Sequence, residues 1–338
     1  MEKNEIEQLI ATGIFPFDAD AKVHFIETAI SYIIVKGRYA YKIKKNIKLS
    51  FLDFSTLEKR KHFCYEELRL NKRLAADMYL NVLGISQKGK QWLISETASN
   101  PKEYAVLMRG MNPEHQLTEL LKRDTVDKKS IKQIAHQIAD FHLNEKSLKL
   151  SYDPFFLSRE FADIEKFIST IESELGETYT KLVHASIALS NDYIFLQQNF
   201  IRQRVKDGYF KNCHGDLHGQ NIFIEKEPII FDCIEFRDAF RKIDVLNEIA
   251  FLCMDLENYG YKKLSELFLE NYFNTTAYTF GDSEKTLFTY FKAYRACIRA
   301  KVNTIELSQH PKDKALKNKT KKYIEAMANY LIEIAPSL

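Results

Sequence analysis

The sequence predicts an α+β protein, with strands concentrated in the N-terminal third and helices in most of the remainder. Three observations predict this. β-favouring runs occupy residues 23–45 and 81–108, apolar residues recur at helical spacing from Asp127 onward, and two short apolar runs separated by a polar turn lie late in the chain at 221–232. A chain of 338 residues, 45% hydrophobic and 13% aromatic, is long enough to build two sizeable cores. The expected division is a sheet with one helix over 1–109 and a mainly helical part over 110–338.

The elements follow in order. His24-Phe25-Ile26-Glu27, Tyr32-Ile33-Ile34-Val35 and Tyr39-Ala40-Tyr41-Lys42-Ile43-Lys44 read as strands, the last two joined by a Lys36-Gly37-Arg38 turn. Strand side chains alternate, so Ala40, Lys42 and Lys44 share one face. Ser55-Thr56-Leu57-Glu58 reads as a capping box opening a helix to about Ala76, on which Phe63, Glu67, Leu70 and Leu74 form the inward stripe. A carboxylate on that stripe needs a cation.

Gly84-Ile85-Ser86-Gln87-Lys88-Gly89-Lys90 mimics a phosphate-binding loop, but Gln91 stands where Ser or Thr is required and strand-like flanks lie on both sides. It is therefore read as a hairpin with Lys88-Gly89 at its tip. Glu103 to Met108 forms a further strand. Helices are expected from Asp127, over Asp153 to about Lys206, and from Asp244 to the end.

The chemistry concentrates in His214-Gly215-Asp216-Leu217-His218-Gly219-Gln220-Asn221 and in Phe231-Asp232 beyond it. A two-residue turn at Lys226-Glu227 pairs Glu225 with Pro228, Phe223 with Ile230 and Asn221 with Asp232, setting an amide beside a carboxylate. Such oxygen ligands suit Mg²⁺, which keeps waters and completes its shell with substrate phosphates. Cys213, His214, His218 and Cys233 have zinc-ligand character, but the neighbouring oxygens and the apolar context of the cysteines favour magnesium.

His-Gly-Asp-Leu-His-x-x-Asn followed by Phe-Asp-Cys-Ile-Glu-Phe resembles the aminoglycoside phosphotransferase and choline kinase group of the protein-kinase-like superfamily, and within it a bacterial branch often fused to a P-loop ATPase domain. The resemblance implies a two-lobed fold, with a small antiparallel-sheet N-lobe and a large helical C-lobe. It implies an ATP- and Mg²⁺-dependent phosphotransferase acting on a hydroxyl. Asp216 is then the catalytic base or nucleophile-orienting group, and Asn221 and Asp232 hold the metal. His214 braces the loop, and His218 either positions substrate or sits as a core histidine.

By the same resemblance Lys42, or Lys44 on the same face, contacts phosphates. Glu67 holds that lysine, with Arg60, Arg69 and Arg73 as competing partners. Met108 to Met111 is the hinge that offers backbone groups to adenine. An aspartate at the position of Asp244 is implied to brace the catalytic loop, besides capping its own helix. The chain departs from protein kinases in lacking a Gly-rich loop at 27–31, so Thr28 and Ser31 are expected to serve the phosphates.

Only Cys233 to Ile243 separates Asp232 from Asp244, which favours a small-molecule acceptor over a protein. Arg295 and Arg299, four apart on one helix, suggest a neutral or anionic acceptor unless they pair with Asp255 or Glu257. A net charge of +3 makes nucleic acid an unlikely partner, and Lys312 to Lys322 reads as a solvated stretch. The absence of a signal-like start, of a long apolar run and of paired cysteines predicts a cytoplasmic, reduced protein without a membrane span. A protein kinase and a non-catalytic nucleotide-binding module are the rival readings.

Overall fold

The computed structural model describes residues 1–18, 21–49, 51–149 and 151–337. In chain order the first elements are α1 (Lys3–Thr12), β1 (Val23–Glu27), β2 (Ser31–Lys36), β3 (Tyr39–Lys44), α2 (Leu57–Asn71), β4 (Tyr79–Lys88), β5 (Gln91–Ser95), β6 (Glu103–Arg109) and α3 (Leu117–Lys122). They are followed by α4 (Lys128–Asn144), α5 (Phe155–Ala162), α6 (Ile168–Leu175), α7 (Glu177–Lys206), β7 (Phe210–Asn212), β8 (Ile222–Ile224) and β9 (Pro228–Ile230). The last are α8 (Asp238–Arg241), β10 (Lys242–Asp244), α9 (Val245–Asn258), α10 (Lys262–Thr276), α11 (Asp282–Gln309) and α12 (Lys314–Ile334). These fall into two compact units, 1–123 with 220–241, and 124–219 with 242–338.

In the first unit, an antiparallel sheet runs in the order β1-β2-β3-β6-β4-β5 among the described residues. Its two faces are both covered, and the period-2 alternation of strand side chains divides them. Tyr41, Ile43, Leu83, Ile85, Ala105 and Leu107 pack with Leu9 of α1 and Phe15 on one side. Ala40, Val82, Val106 and Met108 pack with Cys64 of α2 on the other, where Phe223 joins them. The second face carries Lys42 and Lys44, because both are an even step from Ala40.

The expected β4–β5 hairpin is present, with Lys88 opposite Gln91 and Gly89-Lys90 as the tip. The capping position of α2 is Thr56, which accepts the Lys59 amide, and the helix ends at Asn71 rather than near Ala76. Asn71 donates its side-chain amide to the Glu67 carbonyl at 2.9 Å, and residues 72–74 and 76–78 are turns.

The hairpin at 222–230 corrects one expectation. Ile222 pairs with Ile230 and Ile224 with Pro228, leaving Glu225-Lys226-Glu227 as a three-residue turn. A two-residue turn closes with an N–H from the residue that follows it, and Pro228 has none to give. The register therefore shifts by one. The Asn221 carbonyl receives the Phe231 amide at 3.0 Å, and Asp232 lies one residue beyond the position opposite Asn221.

The second unit is mainly helical. Asp127 caps α4 through the Ser130 amide, and α9 and α11 are buried along most of their lengths. A short ribbon of β7 and β10 pairs Asn212 with Lys242 and Phe210 with Asp244, and the chain leaves β7 into the His214–Gly219 loop.

Candidate active site

Within the first unit, alternation on β3 and helical spacing on α2 bring Lys42, Lys44 and Glu67 together. Lys42 Nζ is 2.8 Å from Glu67 Oε1 and 2.5 Å from Asp232 Oδ1. Lys44 Nζ donates to Glu67 Oε2 at 2.7 Å and to Glu235. The result is an alternating chain of charges, Asp232, Lys42, Glu67, Lys44, Glu235. The competing cations are engaged elsewhere: Arg60 donates to Glu103 at 2.8 Å, and Arg69 to Glu66 at 2.7 Å.

Burial opposes charge on both lysines, but Asp232 and Glu67 raise Lys42 well above the usual lysine range, and Glu235 and Glu67 raise Lys44. Burial likewise opposes charge on Glu67, yet the two ammoniums hold its carboxyl low. Burial pushes Glu235 up, only partly offset by Lys44.

The segment after the hairpin is fixed at several points. The Asp232 amide meets the Tyr79 hydroxyl at 3.3 Å, and the Cys233 amide donates to Asn71 Oδ1 at 2.8 Å. Arg241 donates to the Ile234 carbonyl at 2.9 Å. Asp232 itself adopts φ 65°, in the left-handed region where aspartate is among the few tolerated residues. Its carboxylate is 40% exposed, the least covered of the five charges. Asn221 is buried.

The remaining first-unit candidates are placed as follows. Met108 is buried in the cluster around Ala40, with Met111 packed against it. The Thr28 hydroxyl is committed to its own turn, donating to the Ser31 carbonyl at 3.0 Å and accepting the Ser31 amide at 2.9 Å. Ser31 is fully buried. In this turn without glycines the Thr28 donor is engaged by the Ser31 carbonyl.

Within the second unit, the loop from His214 to Gly219 hangs on α9. The His214 and Gly215 amides donate to Glu248 at 2.6 and 2.9 Å, and the Gly219 amide donates to Asp255 at 2.9 Å. This corrects the assignment of the brace to Asp244. Asp244 caps α9 through the Leu246 amide and is clamped by Arg204, with contacts of 2.6 and 2.9 Å. Gly215 turns the loop at φ 89°, a conformation that favours glycine.

Asp216 lies at the centre of this loop and is one third exposed. His218 Nε2 is 3.2 Å from its Oδ2, and the Asp216 amide donates to His214 Nδ1 at 3.2 Å. Burial would raise the Asp216 carboxyl, but His218 and Arg299 outweigh it and hold it well below the usual carboxylate range. His218 packs its ring on Phe251, with Arg299 NH1 3.4 Å from Nε2.

Arg295 donates to Asn247 Oδ1 at 2.7 Å and to the Gly215 carbonyl at 2.9 Å. It braces the loop and is not an open receptor for an anionic acceptor. His142, Cys213 and Glu248 bring three potential ligand atoms within 4.8 Å of one another. Both Glu248 oxygens already serve the loop amides.

The fold has counterparts among solved kinases. Among solved structures, the chain superposes on a choline kinase from Cryptosporidium parvum with a TM-score of 0.58, 11% identity, and 99% and 97% of the two chains covered. It is similar to an amicoumacin kinase in complex with AMP-PNP, Ca²⁺ and Ami, with a TM-score of 0.57, 12% identity and coverage of 97% and 94%. A GDP complex of wild-type aminoglycoside 2'-phosphotransferase-IIIa gives 0.52, 13%, and 96% and 98%. The fold is the one seen in these solved choline kinase, amicoumacin kinase and aminoglycoside phosphotransferase structures.

In sequence the chain is 29% identical over 297 residues to an uncharacterized protein of Mycobacterium bovis and to one of Mycobacterium tuberculosis, covering 84% of this chain and 55% of theirs. It spans about half the length of those curated relatives. No family model matches. Among the described residues, no helix is long and apolar enough to cross a membrane.

Proposed function

We propose that the chain is an ATP- and Mg²⁺-dependent phosphotransferase that moves the γ-phosphate to a hydroxyl of a small-molecule acceptor in the cytoplasm. The observation that carries this reading is the double engagement of Lys42 by Glu67 and Asp232. Three carboxylates share two ammoniums in that chain of charges, and Asp232 is the end more open to solvent. That end is where a divalent cation would be held.

Asp232 and Asn221 would hold the metal, Lys42 would meet the phosphates while Glu67 holds it, and the Met108 to Met111 segment would offer backbone groups to the base. Bound Mg-ATP supplies the transferable phosphoryl group and a charge that offsets its developing negative oxygens. The chain's own work is positioning and proton handling. Asp216, kept ionised beside His218, accepts the hydrogen bond of the acceptor hydroxyl and orients its oxygen. A carboxylate this acidic takes the proton late, which suits a loose phosphoryl transition state with little demand for early deprotonation. Glu248, Asp255 and Arg295 keep the loop that carries Asp216 in one conformation.

That fold neighbours are named as choline and amicoumacin kinases supports a small acceptor. Arg295 is consumed by the loop, so the case for an anionic acceptor loses half of its basis, and alcohols, sugars and amino-alcohols form one library to screen. The test is nucleotide consumption against that library with wild type and Asp216→Asn. The expected result is turnover by wild type and a loss of about 10²- to 10⁴-fold in the variant with Mg-nucleotide binding retained. Binding by both proteins and turnover by neither would move the chain to the non-catalytic reading.

A further inference from the structure

The chain of charges in the first unit has two ends, and both belong to one short segment: Asp232 and Glu235 lie three residues apart and grip neighbouring lysines of β3. The two grips differ in exposure. Lys42 and Asp232 side chains are 9% and 40% exposed, whereas Lys44 and Glu235 are 1% and 4%. Glu67 between them is fully buried.

We infer that Lys44 and Glu235 form a permanent anchor that keeps Asp232 in place when Lys42 exchanges that aspartate for the phosphates of a bound nucleotide. The inference rests on the phosphotransferase reading and goes beyond it by assigning a positioning role to a second lysine and a second glutamate. A metal at Asp232 needs the carboxylate that Lys42 holds in the present arrangement. Once Lys42 lets go, the left-handed backbone of Asp232 loses its side-chain tether, and the segment is held by contacts further along. Among those, Glu235 to Lys44 is a buried pair of opposite charges, and it stays connected to Lys42 through the other oxygen of Glu67. A buried pair with no solvent route to dissociate is suited to a fixed role, and a half-open one to exchange. Outer partners of a ligating group set how well it is aimed, and their loss commonly weakens metal binding 10- to 100-fold.

The experiment measures Mn²⁺ binding by electron paramagnetic resonance in the presence of AMP-PNP, with AMP-PNP binding in EDTA measured separately. Two variants are compared with wild type: Glu235→Gln, and the double variant Lys44→Met/Glu235→Leu, which removes the pair without stranding a charge. The expected result is an Mn²⁺ affinity about 10- to 100-fold weaker in both variants, with metal-free AMP-PNP binding within twofold of wild type. A merely structural role would lower the folded fraction and leave the affinity of the folded molecules unchanged. Equal Mn²⁺ affinity in wild type and the folded double variant overturns the anchor alone. Failure of wild type to bind Mn²⁺ with AMP-PNP overturns the phosphotransferase reading, and the anchor with it.

Discussion

Glu67 divides its carboxylate between two lysines of one strand, Oε1 2.8 Å from Lys42 and Oε2 2.7 Å from Lys44. The two contacts look alike, yet their partners have different fates on mutation. Lys44→Met leaves Glu235 buried without its cation, so the variant should lose about 3–5 kcal/mol. Lys42→Met leaves Glu67 with Lys44 and releases Asp232 toward water, so it should stay folded and lose nucleotide binding. Urea unfolding and nucleotide titration of the two variants separate these outcomes.

Asp216 should stay ionised throughout the acid range that the protein tolerates, because its carboxyl is held low by His218 and Arg299 against burial. The charged form is present above the folded pKa, and that lies below the ordinary value. Turnover of wild type is therefore expected to show no acid limb from this group between pH 5 and 7. In His218→Asn, burial is less opposed and the carboxyl rises, so the acid limb should move to higher pH than in wild type. A pH–rate profile identical to wild type would remove His218 from this role.

Glu248 supplies both oxygens to the His214 and Gly215 amides. Glu248→Ala leaves two buried N–H groups unsatisfied, and a loss of about 2–5 kcal/mol is expected. Glu248→Gln keeps one acceptor and should cost less. Hydrogen exchange at residues 214–216 would report the loosening directly.

His142 is buried, and burial, with Lys211 adding to it, lowers its pKa from 6.5 to about 3. The unfolded chain takes up a proton near the ordinary value and the folded chain does not, so between these limits the unfolded state binds more protons. Stability should fall as pH drops from about 6.5 toward 3, with a ceiling of roughly 5 kcal/mol for this group. The fall should be shallower in His142→Gln, as read from urea unfolding at pH 7, 6 and 5.

Much of this was legible in the sequence. The even spacing of Ala40, Lys42 and Lys44 put both lysines on one face, and the stripe through Phe63, Glu67 and Leu70 turned Glu67 toward them. What escaped were groups whose partners are distant in sequence. Glu235 finds Lys44 across nearly two hundred positions, and no local pattern announces it. Glu248 and Asp255 carried a signal that went unused: they stand seven apart, two turns of the same face, in a helix otherwise buried among apolar residues. The hairpin register was also readable, since Pro228 cannot close a two-residue turn.

The backbone of Asp232, at φ 65°, narrows what that position can become. Glycine and asparagine accept the torsion but surrender the negative charge. Glutamate keeps the charge but sits poorly in a left-handed turn and reaches too far. Torsion and ionisation together select one side chain, so a sequence in which this position drifts to glutamate would signal a protein that has given up the proposed metal site, even with every lysine still in place.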